Sequence, residues 1–164
     1  MDSFGELRGL TRRAWLVSAA ARLSVTAGLV TQIPRLAEAK ATITVYKDPS
    51  CRCCTQWVEH LRAHGLSPVA RDRNDMDALK DSLGIPTALR ACHTAVAGVY
   101  VIEGHVPAPD ITRLLSQRPK DVAGLAVPGM PMGSPGMEAG SRIDRFDVLS
   151  FTAAGITRVF ARHG

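Results

Sequence analysis

The sequence predicts an α/β domain built around a thiol-rich loop. Three observations predict it. Short apolar runs with strand alternation take turns with runs of helical period from Thr42 onward. Gly, Pro, Asp and Asn mark the joints between them at short intervals. Three of the four cysteines fall within Cys51-Arg52-Cys53-Cys54, between one such strand and one such helix.

Thr42 to Tyr46 reads as the first strand, with Ile43 and Val45 on one face. Trp57, Val58 and Leu61 form the apolar stripe of a helix from Thr55 to His64, and Gly65 is a natural residue to end it. Pro68 to Arg71 is a short second strand. Asp75 to Leu83 is a second helix, closed by Gly84 and Pro86. This β-α-β-α order with short loops is an α/β opening. Thr94 to Ile102, rich in Val, Ala and Tyr, reads as a third strand with a break near Gly98. Pro107-Ala108-Pro109-Asp110 opens a helix that buries Ile111, Leu114 and Leu115. Gly124 to Glu138 reads as a loop, because its Pro and Gly content opposes helix and central strand alike. Phe146 to Phe151 and Ile156 to Ala161 pair as a hairpin around Ala153-Ala154-Gly155.

The 164 residues allow one domain with a real core plus an extension. Hydrophobic residues at 46% and charged residues at 21% place the chain among globular proteins. The formal charge of +5 comes partly from basic residues near the N-terminus. No dense Lys/Arg stripe interleaved with aromatics is present, so nucleic acid is not the expected partner. Four cysteines are too few for a disulfide scaffold at this length. Two disulfides would need distant partners for Cys53 and Cys54, because a bond between neighbours is strained.

The first 39 residues carry the parts of an export signal: Arg12-Arg13, a mild apolar stretch to Val30, and Ala37-Glu38-Ala39 as a small-x-small site. The paired arginines resemble the twin-arginine type, which points to the periplasm. Cleavage after Ala39 would leave residues 40–164 as the domain. The alternative is an amphipathic helix that stays attached. Arg22 interrupts the apolar stretch, and no run reaches about 18 apolar residues, so no stable membrane span is expected after cleavage. In an oxidising compartment, cysteines that persist are paired, metal-bound or redox-active.

The loop places its sulfurs near a helix N-terminus, where free N–H groups and the macrodipole favour thiolate. Two spacings overlap in it. Cys51 and Cys54 are spaced as a C-x-x-C redox pair in a β-α-β context, where a thioredoxin-like dithiol would sit. Cys51 and Cys53 are spaced as a C-x-C metal clamp, and three thiolates in one loop suit a soft metal. The bland reading makes them small buried hydrophobes. Cys92 and His93 lie on a turn before the third strand and could reach the loop if the strands are neighbours. His93 is the weaker of the two, since adjacent side chains on an extended chain point oppositely. His105 is a further candidate ligand, its alternatives being packing at a helix start or exposure to solvent. His60 and His64 share a helix face, but about ten residues, or roughly 15 Å, separate them from the thiols, so they read as surface residues. His163 is terminal. Met130, Met132 and Met137 crowd one Pro/Gly loop. Their thioethers suit Cu(I), or else they cover an apolar surface as adaptable packing.

Four stretches in order carry a resemblance: Tyr46-Lys47-Asp48-Pro49-Ser50-Cys51-Arg52-Cys53-Cys54, Ala91-Cys92-His93-Thr94-Ala95, Tyr100-Val101-Ile102-Glu103-Gly104-His105-Val106-Pro107, and the segment from Val127 through Met130-Pro131-Met132 to Glu138. Over residues 42–162 the chain resembles the CopG-like copper-resistance family, long catalogued as a domain of unknown function and distinct from the plasmid repressor of that name. The family usually has Gly where Arg52 stands, a change in loop charge that removes no ligand. The resemblance implies a thioredoxin-like fold, a mixed sheet flanked by helices. It also implies an exported protein that handles copper, with metal held by Cys51, Cys53, Cys54 and Cys92 and with help from His93 and His105.

Three functions therefore stand at this stage. The first is an exported copper-binding protein holding Cu(I), as one ion or several bridged by sulfur, with imidazoles that would also tolerate Cu(II). Its partners would be metal ions and copper efflux or periplasmic copper carrier proteins. The second is a thiol–disulfide oxidoreductase using Cys51 and Cys54. The third is a zinc module, since the Cys/His set suits tetrahedral Zn²⁺.

Overall fold

Seven strands form one mixed sheet in the order β2-β1-β3-β4-β5-β6-β7. The computed structural model describes residues 42–164, within the unit Glu38–Gly164; the expected export signal over residues 1–39 lies outside the described residues. In chain order the elements are β1 (Ile43–Lys47), α1 (Arg52–Ala63), β2 (Pro68–Asp72), α2 (Met76–Ser82), a 3-10 turn (Thr87–Leu89), β3 (His93–Ala97), β4 (Tyr100–Glu103), α3 (Ala108–Gln117), β5 (Gly124–Ala126), β6 (Phe146–Phe151) and β7 (Thr157–His163). The β1/β2 and β4/β5 pairs are parallel and the other four are antiparallel. The expected α/β class, a mixed sheet flanked by helices, is the one observed.

Both faces of the sheet are covered. One core unites Ile43 and Val45 of β1, Trp57, Val58 and Leu61 of α1, Ile102 of β4, and Ile111 and Leu114 of α3. A smaller core on the other face joins Ile85 and Leu89, which follow α2, to Val101, Ala126 and Phe151. Val101 and Ile102 are consecutive yet serve opposite cores, as the pleat requires. Trp57, Val58 and Leu61 are at most 2% exposed. At about 1.5–3 kcal/mol for each fully buried large side chain, this stripe fixes α1, and with it the cysteines at its start. The Trp57 indole N–H also donates to the Val106 carbonyl oxygen at 2.9 Å.

Three boundaries differ from the expectation. Helix α1 begins three residues early, at Arg52, because Cys51 serves as its N-cap; Cys53 and Cys54 are thereby in the first turn. The long third strand is a hairpin, β3 and β4, with Ala97 paired to Tyr100 across Gly98-Val99. Gly98 has φ +64°, the conformation a two-residue turn with Gly in its first central position demands. Gly124–Ala126 is an internal strand, paired on both edges, where a loop was expected. The prolines begin only at Pro128, and Gly124 is required there by packing. A Cβ at Gly124 would lie 2.0 Å from the Val101 carbonyl oxygen and 2.7 Å from the Phe151 ring. The C-terminal hairpin forms as expected, with a bulge between Val148 and Leu149.

Candidate metal centre

The centre lies where the end of β1 meets the start of β3. Lys47 is paired with His93, so the cysteine loop after β1 faces the Cys92-His93 step. Cys51, at the N-cap of α1, accepts the Cys54 backbone N–H on its Sγ at 3.3 Å. Cys51 and Cys54 are joined by a disulfide, while Cys53 and Cys92 are free. Cys53 Sγ lies 3.5 Å from Cys51 Sγ and 3.9 Å from Cys92 Sγ. All four sulfurs lie within 4.8 Å of one another.

A second donor group shares Cys92. Its Sγ is 3.1 Å from His105 Nε2 and 3.3 Å from His93 Nδ1. The β3–β4 hairpin brings these residues together: Thr94 pairs with Glu103, and Gly104 N–H donates to the His93 carbonyl at 3.0 Å. Gly104 has φ +71°, and a Cβ there would lie 2.6 Å from both Ala91 Cβ and the Val127 oxygen, so only glycine permits the approach. His105 Nδ1 is 2.7 Å from the Pro135 carbonyl oxygen. A carbonyl only accepts, so Nδ1 carries the hydrogen and Nε2 presents a bare lone pair to the Cys92 sulfur. His93 is fully buried, packed between Trp57 at 4.3 Å and His105 at 4.9 Å between ring centroids. Among the described residues, His93 Nε2 is the buried side-chain nitrogen or oxygen left without a hydrogen-bond partner. It is Nδ1, on the other side of the ring, that faces the Cys92 sulfur; the unpartnered Nε2 leaves this imidazole without a hydrogen bond of its own to fix its tautomer. The pleat does not separate Cys92 from His93, because β3 begins only at His93.

Burial disfavours the charged forms of Cys92, His93 and His105. Burial pushes the Cys92 thiol up to about 12, the neighbouring Cys53 adds to the rise, and the Lys80 cation opposes it. Burial holds His93 well below the ordinary imidazole range, with His105 and Lys80 adding to the effect. His105 is lowered by burial, against its bond to Pro135 and the Glu138 carboxylate. The Cys92 S–H therefore donates to His105 Nε2. A cation held by Cys92 would take the place of that proton, since thiols ligate metal as thiolates.

Behind the centre, on the α2 side, sits a group that the sequence reading missed. Glu103, with no exposure, and Lys80, 3% exposed, form an ion pair at 2.5 Å. A signal existed: Lys80 falls on the same stripe as Met76, Leu79 and Leu83, where an apolar residue belongs.

The remaining candidates are placed as follows. Met130 is exposed at 53% and Met132 is half-buried, its backbone tied to Asp144 on both sides. The loop touches the centre through Pro135 and Gly136; a Cβ on Gly136 would lie 2.7 Å from the Cys53 carbonyl oxygen and 2.8 Å from Trp57 N. His60 is not a plain surface residue. Its Nε2 accepts the Ala108 N–H at 3.1 Å, capping α3, and its ring lies 4.2 Å from that of His64. His163 Nε2 pairs with Asp110 Oδ2 at 2.7 Å. An open apolar groove of about 1050 Å³, lined by Gly65, Tyr100 and Leu115 among others, lies at the C-terminal end of α1, away from the cysteines.

A mixed α/β sheet with four sulfurs and two buried imidazoles converging at the ends of two neighbouring strands defines a protein equipped to bind metal ions. Two solved structures described as copper resistance protein CopG, forms 2 and 1, are 43% identical to this chain, with TM-scores of 0.72 and 0.71. Each match covers 76% of this chain and 98% of the other. The family described as "Protein of unknown function, DUF411" matches residues 89–137, the span from the end of the 3-10 turn to the methionine loop. No curated protein matches. The chain belongs to the CopG-like copper-resistance family.

Proposed function

We propose that this protein is an exported copper-binding protein that holds Cu(I) on the thiolates of Cys51, Cys53, Cys54 and Cys92. The observation that carries this reading is the shared sulfur: Cys92 belongs both to the four-cysteine group and to the Cys92-His93-His105 group. Four thiolates bring a charge of −4 into a partly buried site, which several Cu(I) ions neutralise better than one. His93 and His105 add borderline nitrogen donors that also accept Cu(II), so the site is suited to cycling between copper states. The Cys51–Cys54 disulfide withholds two of the donors. Full loading requires its reduction by an external dithiol, which is itself oxidised to a disulfide as the Cys51–Cys54 bond opens to two thiols. The paired arginines and the small-x-small site support export by the twin-arginine route to the periplasm. Copper efflux or carrier proteins there are the proposed partners, and among the described residues no helix is long and apolar enough to cross a membrane.

Metal analysis with a free-thiol count, on protein purified without added metal or chelator and then reduced, tests the reading. More than one copper per chain, with thiols protected until a Cu(I) chelator is added, is the expected result. Tight Zn²⁺ retained against Cu(I) would replace copper by zinc.

One observation favours a second function. A disulfide of C-x-x-C spacing at the start of α1, in a β-α-β unit, suits a thiol–disulfide oxidoreductase. Insulin reduction by metal-free protein that survives Cys53→Ser supports it. No turnover, together with copper retention, rejects it.

A further inference from the structure

We infer that Glu103, ion-paired with Lys80, is the positioning residue that sets Cys92 against His105. This rests on the copper-binding reading for its consequence, though not for its geometry. One carboxylate holds three groups. Glu103 Oε1 accepts the Ala91 N–H at 2.7 Å and the Lys80 ammonium at 2.5 Å, and Oε2 accepts the Thr94 hydroxyl at 2.7 Å. Lys80 Nζ also donates to Thr94 Oγ1 at 2.8 Å, so the hydroxyl both accepts and donates. Ala91 and Thr94 bracket the Cys92-His93 step, and Glu103 itself lies two residues before His105. A single side chain therefore fastens both ends of the donor step to the strand that presents the second imidazole. The Gly104 N–H to His93 carbonyl bond at 3.0 Å closes the same junction from the backbone.

Stability alone is a poor reason for this pair. An ion pair taken out of water is often no better than apolar residues of the same volume. Its geometry is what apolar residues cannot supply, since they offer no acceptor to the Ala91 amide. Lys80 reaches Glu103 from α2, and its ammonium also binds the Thr94 hydroxyl that Glu103 Oε2 holds.

Two double variants separate positioning from charge, because neither strands a buried ion. Lys80→Met/Glu103→Gln keeps an oxygen for the Ala91 amide; Lys80→Met/Glu103→Leu does not. In metal-free protein, the nitrogen-15 signals of the Ala91 amide and the His105 imidazole should stay near wild type in the Gln variant and move in the Leu variant. In competition with a Cu(I) chelator, the Leu variant should bind about 10–100-fold more weakly, the loss typical of removing a ligand's support, with the Gln variant near wild type. Should the Leu variant fail to fold, Thr94→Val, which cuts the Oε2 tie and the Lys80 bond to that hydroxyl but keeps the Ala91 tie, is expected to move the same signals in the same direction. Equal behaviour of the Gln and Leu variants in both measurements overturns the inference. If wild-type protein takes up no Cu(I), the copper reading fails, and the metal-free imidazole signal still decides the positioning.

Discussion

Cys92 Sγ lies 3.1 Å from His105 Nε2, whose ring is turned by the bond from Nδ1 to the Pro135 carbonyl. The thiol is thereby matched to a nitrogen with a free lone pair, on residues that a hairpin rather than a helix brings together. His105→Ala should lower Cu(I) affinity by about tenfold or more, roughly 1.4 kcal/mol, in chelator competition. It should also destabilise the fold by about 1–3 kcal/mol, because the buried Pro135 oxygen loses its donor. Unchanged copper affinity would remove His105 from the site.

The disulfide sets the donor count. Protein purified without reductant should show two reactive thiols under denaturing conditions, Cys53 and Cys92, and four after reduction. Copper uptake should rise with the second pair. Cys51→Ser should titrate three thiols without reductant and take up copper independently of it. The helix start should survive the change, since Ser is itself a strong N-cap. Copper uptake by this variant that still required reductant would contradict a gating disulfide.

His60 links pH to the seating of α3. Its Nε2 can accept the Ala108 N–H only when unprotonated. Burial lowers its titration below the ordinary value, the His64 charge adds to this, and the Glu138 carboxylate opposes it. Since the folded value lies below the unfolded value of about 6.5, the contribution is fully present above pH ~6.5 and is lost as pH falls through the folded value. His93 and His105 act in the same direction, so the measurement is a difference: Tm against pH for wild type and His60→Gln. The Gln variant, which keeps an acceptor without titrating, should lose less Tm between pH 8 and 5. Parallel curves would show that His60 does not couple.

Gly136→Ala tests how the methionine loop is seated. Gly136 has φ +85°, and the added Cβ meets the backbone of Cys53 and Trp57. Strain and overlap together should cost about 1–3 kcal/mol in a denaturant titration. The His105 bond to Pro135, one residue away, should weaken with it, visible as a shifted imidazole signal. A variant as stable as wild type, with that signal unmoved, would show the loop free to lift.

Much of the fold was legible because it is written in local periods. The stripe of Trp57, Val58 and Leu61, the glycine at position 65 and the C-terminal hairpin each follow from spacing over a few residues. The Gly98 reversal was half legible: the break was visible, but whether a strand pauses or turns back depends on which edge receives it. Gly124–Ala126 was not legible at all, because three residues carry no period and the reason for Gly124 lies in Val101 and Phe151.

Linear order already displays the chemistry on offer: thiols clustered at a helix start, a second thiol beside a histidine, and a family pattern joining them. Which of these groups meet is settled by the packing of elements distant in the chain. Cys53 and Cys92 are 39 positions apart, and their 3.9 Å approach follows from the antiparallel register of β1 and β3. The same holds for the Lys80–Glu103 pair, which looks like two charges misplaced in apolar runs until α2 is laid across β4. Side-chain period reports which face a residue takes within its own element. It carries no information about which element lies opposite, and that depends on the burial of whole faces against each other.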